Sequence, residues 1–535
     1  METSTAALLF SGLGTAIVIV IAWILMMVVE WVWLKPKKVE KWLRQQGFSG
    51  NSYRFLHGDM KDMSAMRIQA TAKPISSGAD SHGHHNIVPR ILPFNHHIIT
   101  VYGKKSFIWN GPTPMINITD PKMIREILFQ YDIFQKPKTN PLAKLLVSGM
   151  AIYEGEQWFK ARKIVSPAFH HHRLKDMFPS MYWSCNEMIS EWKILVSNQN
   201  HNSTSHYELD VWPYIQTFTA DVISRTAFSS SYEDGRKIFE LIRQQIKHFT
   251  EITQFSYIPG WRFLPTATKR RKISNYNETR ALIRGIINQR LEAIKVGEAS
   301  KNNDDLLGML IESNYKEIEE DHGRKKGGMS IEEVIEECKL FYLAGQETTA
   351  SLLIWAMVLL CMHPSWQALA REEVFQVFGN HKPKFDDLNH LKLVTKILHE
   401  TLRLYSPIPI LNKTTYKETK LGEVSIPPGT GVSLPILMVH RDHEYWGDDA
   451  EEFNPDRFSQ GVSKASSNNE VSFFPFSWGP RICIGQNFAL MEAKLALAMV
   501  LQNFSFELSP DYVHAPTLGI SVQPQYGAHL ILHKI

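Results

Sequence analysis

Cys483 lies in a loop whose residue types and spacing suit the binding of a metal through sulfur. The loop reads Phe476-Ser-Trp-Gly-Pro-Arg481-Ile-Cys483-Ile-Gly485 and precedes an apolar segment predicted to be helical from residue 486. The dipole and the free backbone N–H groups at a helix N-terminus favour a thiolate and lower the pKa of a thiol there. Gly479 and Gly485 let the backbone fold tightly around the sulfur and approach a flat cofactor without a Cβ in the way. Arg481, two residues before the cysteine, can bind a carboxylate as a fixed cation.

These features together predict a loop that holds an anionic sulfur beneath a metal macrocycle with acidic side chains. Heme bound through a cysteine thiolate fits that description, and electron donation from the sulfur favours cleavage of an O–O bond. A free cysteine is more often a small buried apolar residue, and for Cys483 alone that interpretation would be preferred. Here five positions match at fixed spacing, which favours the metal-binding interpretation.

The loop resembles the heme-binding signature of the cytochrome P450 enzymes, and three other segments match that family in the expected order. Glu400-Thr-Leu-Arg403 is similar to the family's Glu-x-x-Arg pair, and residues at i and i+3 share one face of a helix. Arg403 can then bond the loop Phe453-Asn-Pro-Asp-Arg457-Phe458. The resemblance implies that Glu400, Arg403 and Arg457 hold the heme-side fold and take no part in catalysis.

Ala344-Gly345-Gln-Glu347-Thr348-Thr349, halfway along a long predicted helix, is similar to the family's oxygen-activation segment. Gly345 and Thr348 can open the helix by freeing a carbonyl group and bonding back to the preceding turn, which makes room for O2 and a water. The resemblance implies that Thr348 and Glu347 are the catalytic pair and relay protons to the oxygen as general acids.

Trp158-Phe-Lys-Ala-Arg162 resembles the family's Trp-x-x-x-Arg helix, whose side chains bond a heme propionate. Arg162 and Arg481 would be two propionate partners, and family position implies Lys413 as a third, where many relatives carry Arg. Because Lys lacks the bidentate fork of Arg, we expect a looser contact there. The implied cofactor is heme b (iron protoporphyrin IX), with Cys483 as the axial iron ligand. The other residues implied to bind it are Trp158, Arg162, Lys413, Phe476, Arg481 and Gly485.

The N-terminal segment predicts a membrane anchor. No charged residue occurs between Glu2 and Glu30, and a helix over residues 6–29 is long enough to cross the ~30 Å hydrocarbon core of a bilayer. A cleavable signal peptide is disfavoured because the start is acidic, and bulky Trp31 and Trp33 follow where small residues are expected. Five basic residues follow the apolar run: Lys35, Lys37, Lys38, Lys41 and Arg44. Since basic flanks stay cytoplasmic, we expect a single-pass protein of the endoplasmic reticulum membrane, with a lumenal N-terminus and a cytosolic catalytic domain.

The resemblance implies the cytochrome P450 fold, a mainly α fold with small β-sheets. We expect the anchor at 1–34, a basic linker and lead-in at 35–95, and the heme-thiolate monooxygenase domain at 96–535. The length of 535 residues alone would suggest three or four domains. However, the residues implied to surround one heme are spread from Trp158 to Cys483, so a domain boundary between them would split a single site.

Hydrophobic periodicity predicts the main elements. The longest helix is expected at 331–360, and it opens with Ser330 and Glu333 in the pattern of a capping box. Further helices are expected at 208–229, 234–256, 276–297, 364–378, 390–405 and 486–502, β-like runs at 98–110, 412–435 and 515–533, and loops at 313–329 and 459–472. The apolar, aromatic segment 257–265, followed by the basic run 269–272, fits equally a loop that dips into the bilayer and an ordinary packed loop.

Composition excludes several classes of protein. The 58 Lys+Arg against 54 Asp+Glu leave a net charge of +4, which is too small for a surface that coats nucleic acid. Only 4 cysteines occur, far apart in the chain, which excludes a disulfide scaffold and a Cys-x-x-Cys zinc module. The 44% apolar and 21% charged residues exclude a disordered or collagen-like chain.

The resemblance also implies the reaction. One atom of O2 enters an unactivated C–H bond of a lipophilic substrate, and the other leaves as water. NADPH–cytochrome P450 reductase would supply the electrons one at a time, with cytochrome b5 as an optional second donor. The sequence carries no second cofactor motif, so the reductase is expected to be a separate protein on the same membrane.

A finer similarity is to the plant secologanin-synthase-like branch, whose members oxidise iridoids, triterpenoids, gibberellins and other terpenoids. It rests on Trp33-Leu-Lys-Pro-Lys-Lys, on Leu43-Arg-Gln-Gln-Gly47 and on the segment 344–349. Family position implies that the substrate is lined by the segment before Trp158, the first half of the long helix, 408–411 and 517–522.

Two other functions remain open at this point. One is an enzyme of the same fold that rearranges or dehydrates a peroxide without O2 or a reductase, although Glu347 and Thr348 count against it. The other is a non-catalytic membrane protein that binds heme or lipid, in which Cys483 is only a ligand.

Overall fold

Helices dominate the computed structural model, which describes residues 2–75, 85–138, 140–198, 206–247, 266–296, 305–320, 328–466 and 471–535. In chain order the α-helices are α1 (Glu2–Val29), α2 (Lys35–Gln45), α3 (Met60–Ala72), α4 (Val88–Ile91), α5 (Pro93–Tyr102), α6 (Pro121–Phe129), α7 (Pro141–Lys144), α8 (Gly155–Val165), α9 (His171–Asn198), α10 (Trp212–Phe228), α11 (Tyr232–Lys247), α12 (Ala267–Val296), α13 (Leu306–Glu320), α14 (Ile331–Met362), α15 (Pro364–Phe378), α16 (Lys392–Leu404), α17 (Ile436–Val439), α18 (His443–Trp446) and α19 (Gln486–Asn503). The mainly α fold expected from the sequence is confirmed.

Short strands form small sheets at the edges of the helical body. The strands are β1 (Phe107–Asn110), β2 (Thr113–Asn117), β3 (Phe134–Gln135), β4 (His206–Asp210), β5 (Leu411–Thr415), β6 (Thr419–Leu421), β7 (Val424–Ile426), β8 (Gly431–Leu434), β9 (Phe504–Leu508), β10 (Pro516–Leu518), β11 (Val522–Pro524) and β12 (His529–Lys534). Within the described residues the sheet orders are β1-β2-β8-β5-β3, β4-β12-β9, β10-β11 and β6-β7. Only β2 and β8 pair in parallel among these strands.

The long helix α14 runs through the core, as its sequence predicts. The Ser330 hydroxyl accepts a hydrogen bond from the Glu333 N–H (3.2 Å), and the Glu333 carboxylate accepts one from the Ser330 N–H (3.0 Å). The predicted capping box therefore forms. Helices α10, α12, α16 and α19 pack around α14, which explains why its second half is apolar on every side.

The apolar helix α1 is a candidate membrane anchor, since the described side chains from residue 13 to residue 29 are exposed. A π-helical turn at Glu30–Leu34 joins α1 to α2 without a break. In that turn the carbonyl of Val32 accepts a hydrogen bond from the Tyr53 hydroxyl at 2.5 Å. Such turns displace backbone hydrogen bonds, so Tyr53 satisfies an acceptor that the turn leaves open. Helix α14 is also long and apolar enough to cross a membrane, but protein surrounds it.

Several predicted elements are confirmed, and α15 has the predicted bounds. Helices α14, α16 and α19 deviate from their predictions by no more than two residues at either end. The β-like runs predicted at 412–435 and 515–533 cover β5–β8 and β10–β12 to within one residue at the outer ends, since β5 begins at Leu411 and β12 ends at Lys534. A short 3₁₀ turn, Val462–Lys464, lies within the predicted loop at 459–472.

Three predictions were wrong in part. The segment 98–110 was expected to be β-like, but residues up to Tyr102 belong to α5, because burial of Phe94 and Ile98 on one helical face overrides the strand propensity of Ile and Val. The start of 208–229 is the strand β4, which pairs with β12 far away in the chain (Leu209 opposite Leu530). Residues 313–320 of the loop expected at 313–329 belong to α13, which is described to Glu320, and residues 321–327 lie outside the described residues.

Other predictions fall partly outside the described residues. The helix expected at 234–256 begins at Tyr232 and is described to Lys247, and the segment 257–265 lies outside the described residues. The helix expected from residue 276 begins earlier, at Ala267. It carries Lys269 and Lys272 of the basic run, whose side chains have little exposed surface.

Candidate active site

The Cys483 loop is closed by backbone hydrogen bonds. The N–H of Cys483 donates to the carbonyl of Phe476 (2.9 Å), and a 3₁₀ turn at Gly479–Arg481 lies between them. Gly479 has φ +71°, and a Cβ there would lie 3.0 Å from the Leu128 carbonyl oxygen. Both the backbone angle and the close approach of α6 therefore require glycine at this position. The side chain of Phe476 packs against the main apolar core.

Gly485 has a different role from Gly479. Its φ is ordinary, and the nearest atom to a Cβ placed there would be a Phe169 ring carbon at 3.9 Å. Protein packing alone therefore permits a side chain at this position. Glycine leaves space on the open side of the loop, which fits the expected approach of a flat cofactor.

The Cys483 thiol is accessible although protein surrounds the loop. Burial raises the pKa of this thiol, while the backbone N–H of Gly485 and the charge of Arg162 act to lower it. The sequence predicted that the helix N-terminus lowers the pKa of the Cys483 thiol. That prediction was wrong for the thiol without a bound metal, because desolvation raises the pKa by more than the helix N-terminus lowers it. A bound metal would deprotonate the thiol outright. Arg162 is held beside the sulfur by donating to the carbonyl of Ile482 (2.9 Å).

Helix α14 has an accessible stretch in its middle, where its other faces are buried. Ala344 is exposed there, and the Thr348 hydroxyl donates to the Ala344 carbonyl at 2.8 Å. The predicted bond back to the preceding turn therefore forms. The predicted helix opening is absent, since α14 is continuous from Ile331 to Met362. A Cβ at Gly345 would lie 2.7 Å from the Ile223 side chain, so this glycine permits the close packing of α10 against α14.

Glu347, next to Thr348, points into protein. Its side chain is only 3% exposed, and the Ser521 hydroxyl lies 3.4 Å from its carboxylate. Burial raises the pKa of Glu347 to about 7, against the opposing effects of Ser521 and Arg243. The carboxyl can therefore take up and release a proton near neutral pH, as a general acid requires.

Arg481 is the centre of a buried group of cations. Its guanidinium stacks on the ring of Trp158, 4.5 Å from the centroid, and donates to the Glu154 carboxylate at 2.5 Å. Two further donors of the guanidinium, Nε and Nη1, are buried and have no hydrogen-bond partner among the residues that the structure describes. Trp158 thus supports Arg481 from α8, where the sequence predicted a direct cofactor contact.

Lys413 on β5 and Lys136, which follows β3, belong to the same group. Burial and the charge of Arg481 lower the pKa of Lys413 to about 8 and that of Lys136 to about 7. Glu154 is the acidic residue that acts on all three cations. Among the described residues one carboxylate acts on these three basic side chains, so the group can accept further anions, and the two propionates of heme would supply them. The residues of this region therefore fit the cofactor that the sequence implies.

Sequence reasoning missed Lys136. The short strand β3 brings it to β5, since Phe134 pairs with Thr415 and Gln135 with Thr414. A two-residue strand leaves no periodic signal in the sequence, so Lys136 reads as an ordinary surface lysine.

Glu400 and Arg403 on α16 form the predicted pair, with both side chains fully buried. Two hydrogen bonds join the guanidinium and the carboxylate at 2.7 and 2.8 Å, and Arg403 also donates to the carbonyls of His440 (2.8 Å) and Glu452 (2.9 Å). Arg457 lies 3.4 Å from the Glu400 carboxylate. The pair thus ties α16 to the segment that leads into the Cys483 loop.

These groups are connected through the core. Helix α14, which carries Glu347 and Thr348, packs directly on α19, which follows Cys483. The ring of Phe169 lies between the two, 5.6 Å from that of Phe341 on α14 and 6.2 Å from that of Phe488 on α19. A thiol, a general-acid candidate and unsatisfied buried cations in one body are what a thiolate-bound heme requires.

Comparison with known proteins agrees with this geometry. The family model described as "Cytochrome P450" matches residues 94–530, so the chain belongs to the cytochrome P450 family. Members of this family use heme, a redox partner, O2 and a small-molecule substrate.

Within the family the chain is a plant-type cytochrome P450 monooxygenase. It is 53% identical over 528 residues to cytochrome P450 CYP72A219 of Panax ginseng, covering 99% of each chain. It is 54% identical over 508 residues to cytochrome P450 72A397 of Kalopanax septemlobus, covering 95% of each. It is 49% identical over 510 residues to the 7-deoxyloganic acid hydroxylase of Catharanthus roseus, covering 95% of this chain and 96% of that one. The resemblance to the secologanin-synthase-like branch is confirmed.

Proposed function

We propose that this protein hydroxylates or further oxidises an unactivated C–H bond of a lipophilic plant terpenoid of the triterpenoid, iridoid or gibberellin type. The observation that carries the proposal is the accessible Cys483 thiol in the same body as a group of buried basic side chains that share one carboxylate, Glu154, among the described residues. The terpenoid assignment is supported by the 49% identity to a 7-deoxyloganic acid hydroxylase along almost the whole chain.

In this proposal Cys483 would bind the iron of heme b, and Phe476 and Gly485 would shape the loop around it. Arg162, Lys413 and Arg481 neutralise the heme propionates, with Lys136 as an additional cation that the structure brings to the group. Trp158 holds the guanidinium of Arg481 by stacking. The bound heme supplies O2 activation, by which one oxygen atom enters the substrate and the other leaves as water.

Glu347 and Thr348 deliver protons in the proposed reaction. The Glu347 carboxyl holds a proton in a buried environment, with a pKa of about 7. The Thr348 hydroxyl, fixed by its bond to the Ala344 carbonyl, passes a proton into the accessible space beside α14. The surrounding apolar core excludes bulk water, so these two residues control when a proton reaches that space.

Electrons would come from NADPH–cytochrome P450 reductase on the same membrane, with cytochrome b5 as an optional donor. Helix α8 supports a docking surface for such a partner, because it holds Arg162 against the Cys483 loop and carries exposed Phe159 and accessible Lys163. We further propose that α1 crosses the endoplasmic reticulum membrane with its N-terminus in the lumen. The basic residues of α2 then lie on the cytosolic side with the catalytic domain.

The test of this function is turnover by full-length protein reconstituted in lipid with the plant reductase and NADPH. Panels of triterpenoids, iridoids and gibberellins are supplied, and products are identified by mass spectrometry with ¹⁸O2. We expect a product that contains one ¹⁸O atom, formed only with NADPH. Turnover of fatty-acid hydroperoxides without NADPH would point instead to a peroxide-rearranging enzyme. Heme-loaded protein that gives no product with any panel would contradict the terpenoid assignment.

Replacing Thr348 with Ala removes the hydroxyl that passes the proton. We expect about 100-fold less product per NADPH, with the lost electrons recovered as hydrogen peroxide, because general-acid catalysis contributes at least about this much. The absorption spectrum should stay unchanged. The matched control is Thr395→Ala on α16, whose hydroxyl also donates to the carbonyl four residues earlier (2.5 Å to Leu391). Equal coupling in the two variants would exclude the proposed role of Thr348.

A further inference from the structure

The turn between β10 and β11 is docked on one face of α14 by three side chains. The Ser521 hydroxyl lies 3.3 Å from the carbonyl oxygen of Glu347 and 3.4 Å from its carboxylate. One helical turn further, the Ser351 hydroxyl donates to the carbonyl of Val522 at 2.6 Å, and the Trp355 indole N–H donates to the same carbonyl at 2.8 Å. Residues 347, 351 and 355 follow the i, i+4, i+8 spacing of one helical face, so the turn has a defined register on α14.

Of these contacts, only that of Ser521 reaches the general-acid candidate itself. The Ser521 side chain is fully buried and that of Glu347 is 3% exposed, so water cannot replace the hydroxyl as a donor. A serine hydroxyl carries one proton, which it donates either to the backbone carbonyl or to the carboxylate. The contact therefore stabilises the ionised carboxylate and fixes its direction relative to Thr348.

Few charged groups act on Glu347 in the described part of the chain. Arg243 on α11 favours the ionised form. On α19, burial raises the pKa of Glu492 well above its ordinary value. On α10, Asp221 is paired with Arg225 at 2.6 Å. With so little competing charge, a single hydroxyl has a measurable effect on the carboxyl.

We propose that Ser521 is a positioning residue for the proton donor Glu347, and that the β10–β11 turn sets the orientation and the proton affinity of this acid. The inference rests on the proposed function of Glu347 and deepens it. Sequence alone could not indicate this contact, because the two residues are 174 positions apart. Because family position places the same turn against the substrate, a substrate that presses on it also acts on the proton donor.

The experiment measures the protonation of Glu347 directly, without turnover. Full-length ferric holoprotein in detergent is titrated from about pH 5 to about pH 9 and followed by infrared difference spectroscopy of the protonated carboxyl band. The band is assigned by its loss in Glu347→Gln. In Ser521→Ala we expect the midpoint to rise by about 0.5 pH unit, since a long hydrogen bond that favoured the ionised form is lost.

Ser351→Ala is the matched control, because Ser351 holds the same turn to the same helix face without touching the carboxyl. We expect its midpoint to equal that of the wild type. Equal midpoints in Ser521→Ala and the wild type, or an equal rise in Ser351→Ala, would overturn the proposal. The proposal would also be overturned if the protonated carboxyl band were absent over the whole titrated pH range in every variant. Removal of the Ser521 hydroxyl would then have left the protonation of Glu347 unchanged.

The same variants separate this inference from the proposed function. The pH dependence of product per NADPH should move upward in Ser521→Ala in parallel with the infrared midpoint. If the midpoint moves but Glu347→Gln retains full coupling, the contact with Ser521 is real and the proton-donor function of Glu347 is wrong. If the midpoint of Ser521→Ala equals that of the wild type while Glu347→Gln loses coupling, Glu347 is the proton donor but Ser521 does not position it.

Discussion

Replacing Cys483 with Ala removes the absorption band at about 450 nm that the reduced protein gives with carbon monoxide, because that band requires a thiolate ligand. The loss should be complete. No other described cysteine can substitute for it, since Cys185 and Cys338 are buried in the apolar core and Cys361 lies at the far end of α14. The measurement is the reduced carbon monoxide difference spectrum of purified full-length protein, with heme content measured in parallel.

Cys361→Ala is the control for this prediction. Its thiol is half-buried, and burial raises its pKa, which makes it unsuited to metal binding. We expect the band at about 450 nm to persist at full intensity in that variant. A Cys483→Ala protein that retains the band, or a Cys361→Ala protein that folds but loses it, would contradict the assignment of the ligand.

The elements that the sequence predicts correctly are those whose signals are local. The capping box of Ser330 and Glu333 and the pair of Glu400 and Arg403 each span four residues, so spacing alone brings the groups together. The same holds for the bond from Thr348 to Ala344. For these features, helix geometry sets the contact before any tertiary structure forms.

The features that the sequence does not predict depend on partners far along the chain. Strand β4 exists because β12 pairs with it, about 320 residues later. Lys136 enters the cation group only because β3 pairs with β5. Glycine is required at position 345 because Ile223 from α10 packs closely against it, which is also a tertiary contact. The pKa of Cys483 was predicted with the wrong sign because the sequence shows a helix N-terminus but not the burial that opposes it.

Replacing Glu400 with Gln is expected to lower strongly the free energy of unfolding of the holoprotein. The substitution keeps the shape of the side chain but removes its charge, which leaves the guanidinium of Arg403 fully buried without the Glu400 carboxylate. It also removes one of the two carboxylates beside Arg457, the other being that of Asp449 at 2.5 Å. Breaking a buried ion pair in this way costs about 3–5 kcal/mol, because the remaining charge keeps its desolvation penalty. Since proteins are stable by only about 5–15 kcal/mol, such a loss approaches the whole stability of a marginal domain. Unfolding in urea, followed by circular dichroism and by heme release, measures the change.

The control is an exposed ion pair with the same sequence spacing. It separates the effect of burial on stability from the effect of the ion pair itself. Glu292 and Lys295 on α12 are also three residues apart and 2.7 Å from each other, but their side chains are 66% and 64% exposed. In Glu292→Gln we expect a change below about 1 kcal/mol, because water solvates the charge that is left. If Glu400→Gln were as stable as Glu292→Gln, the buried pair would not hold the fold, and the Cys483 loop would depend on other contacts for its position.

Because Arg403 bonds the carbonyls of His440 and Glu452, its loss of position should also displace the segment that leads to Cys483. Heme release should therefore precede global unfolding in Glu400→Gln, while the two coincide in Glu292→Gln.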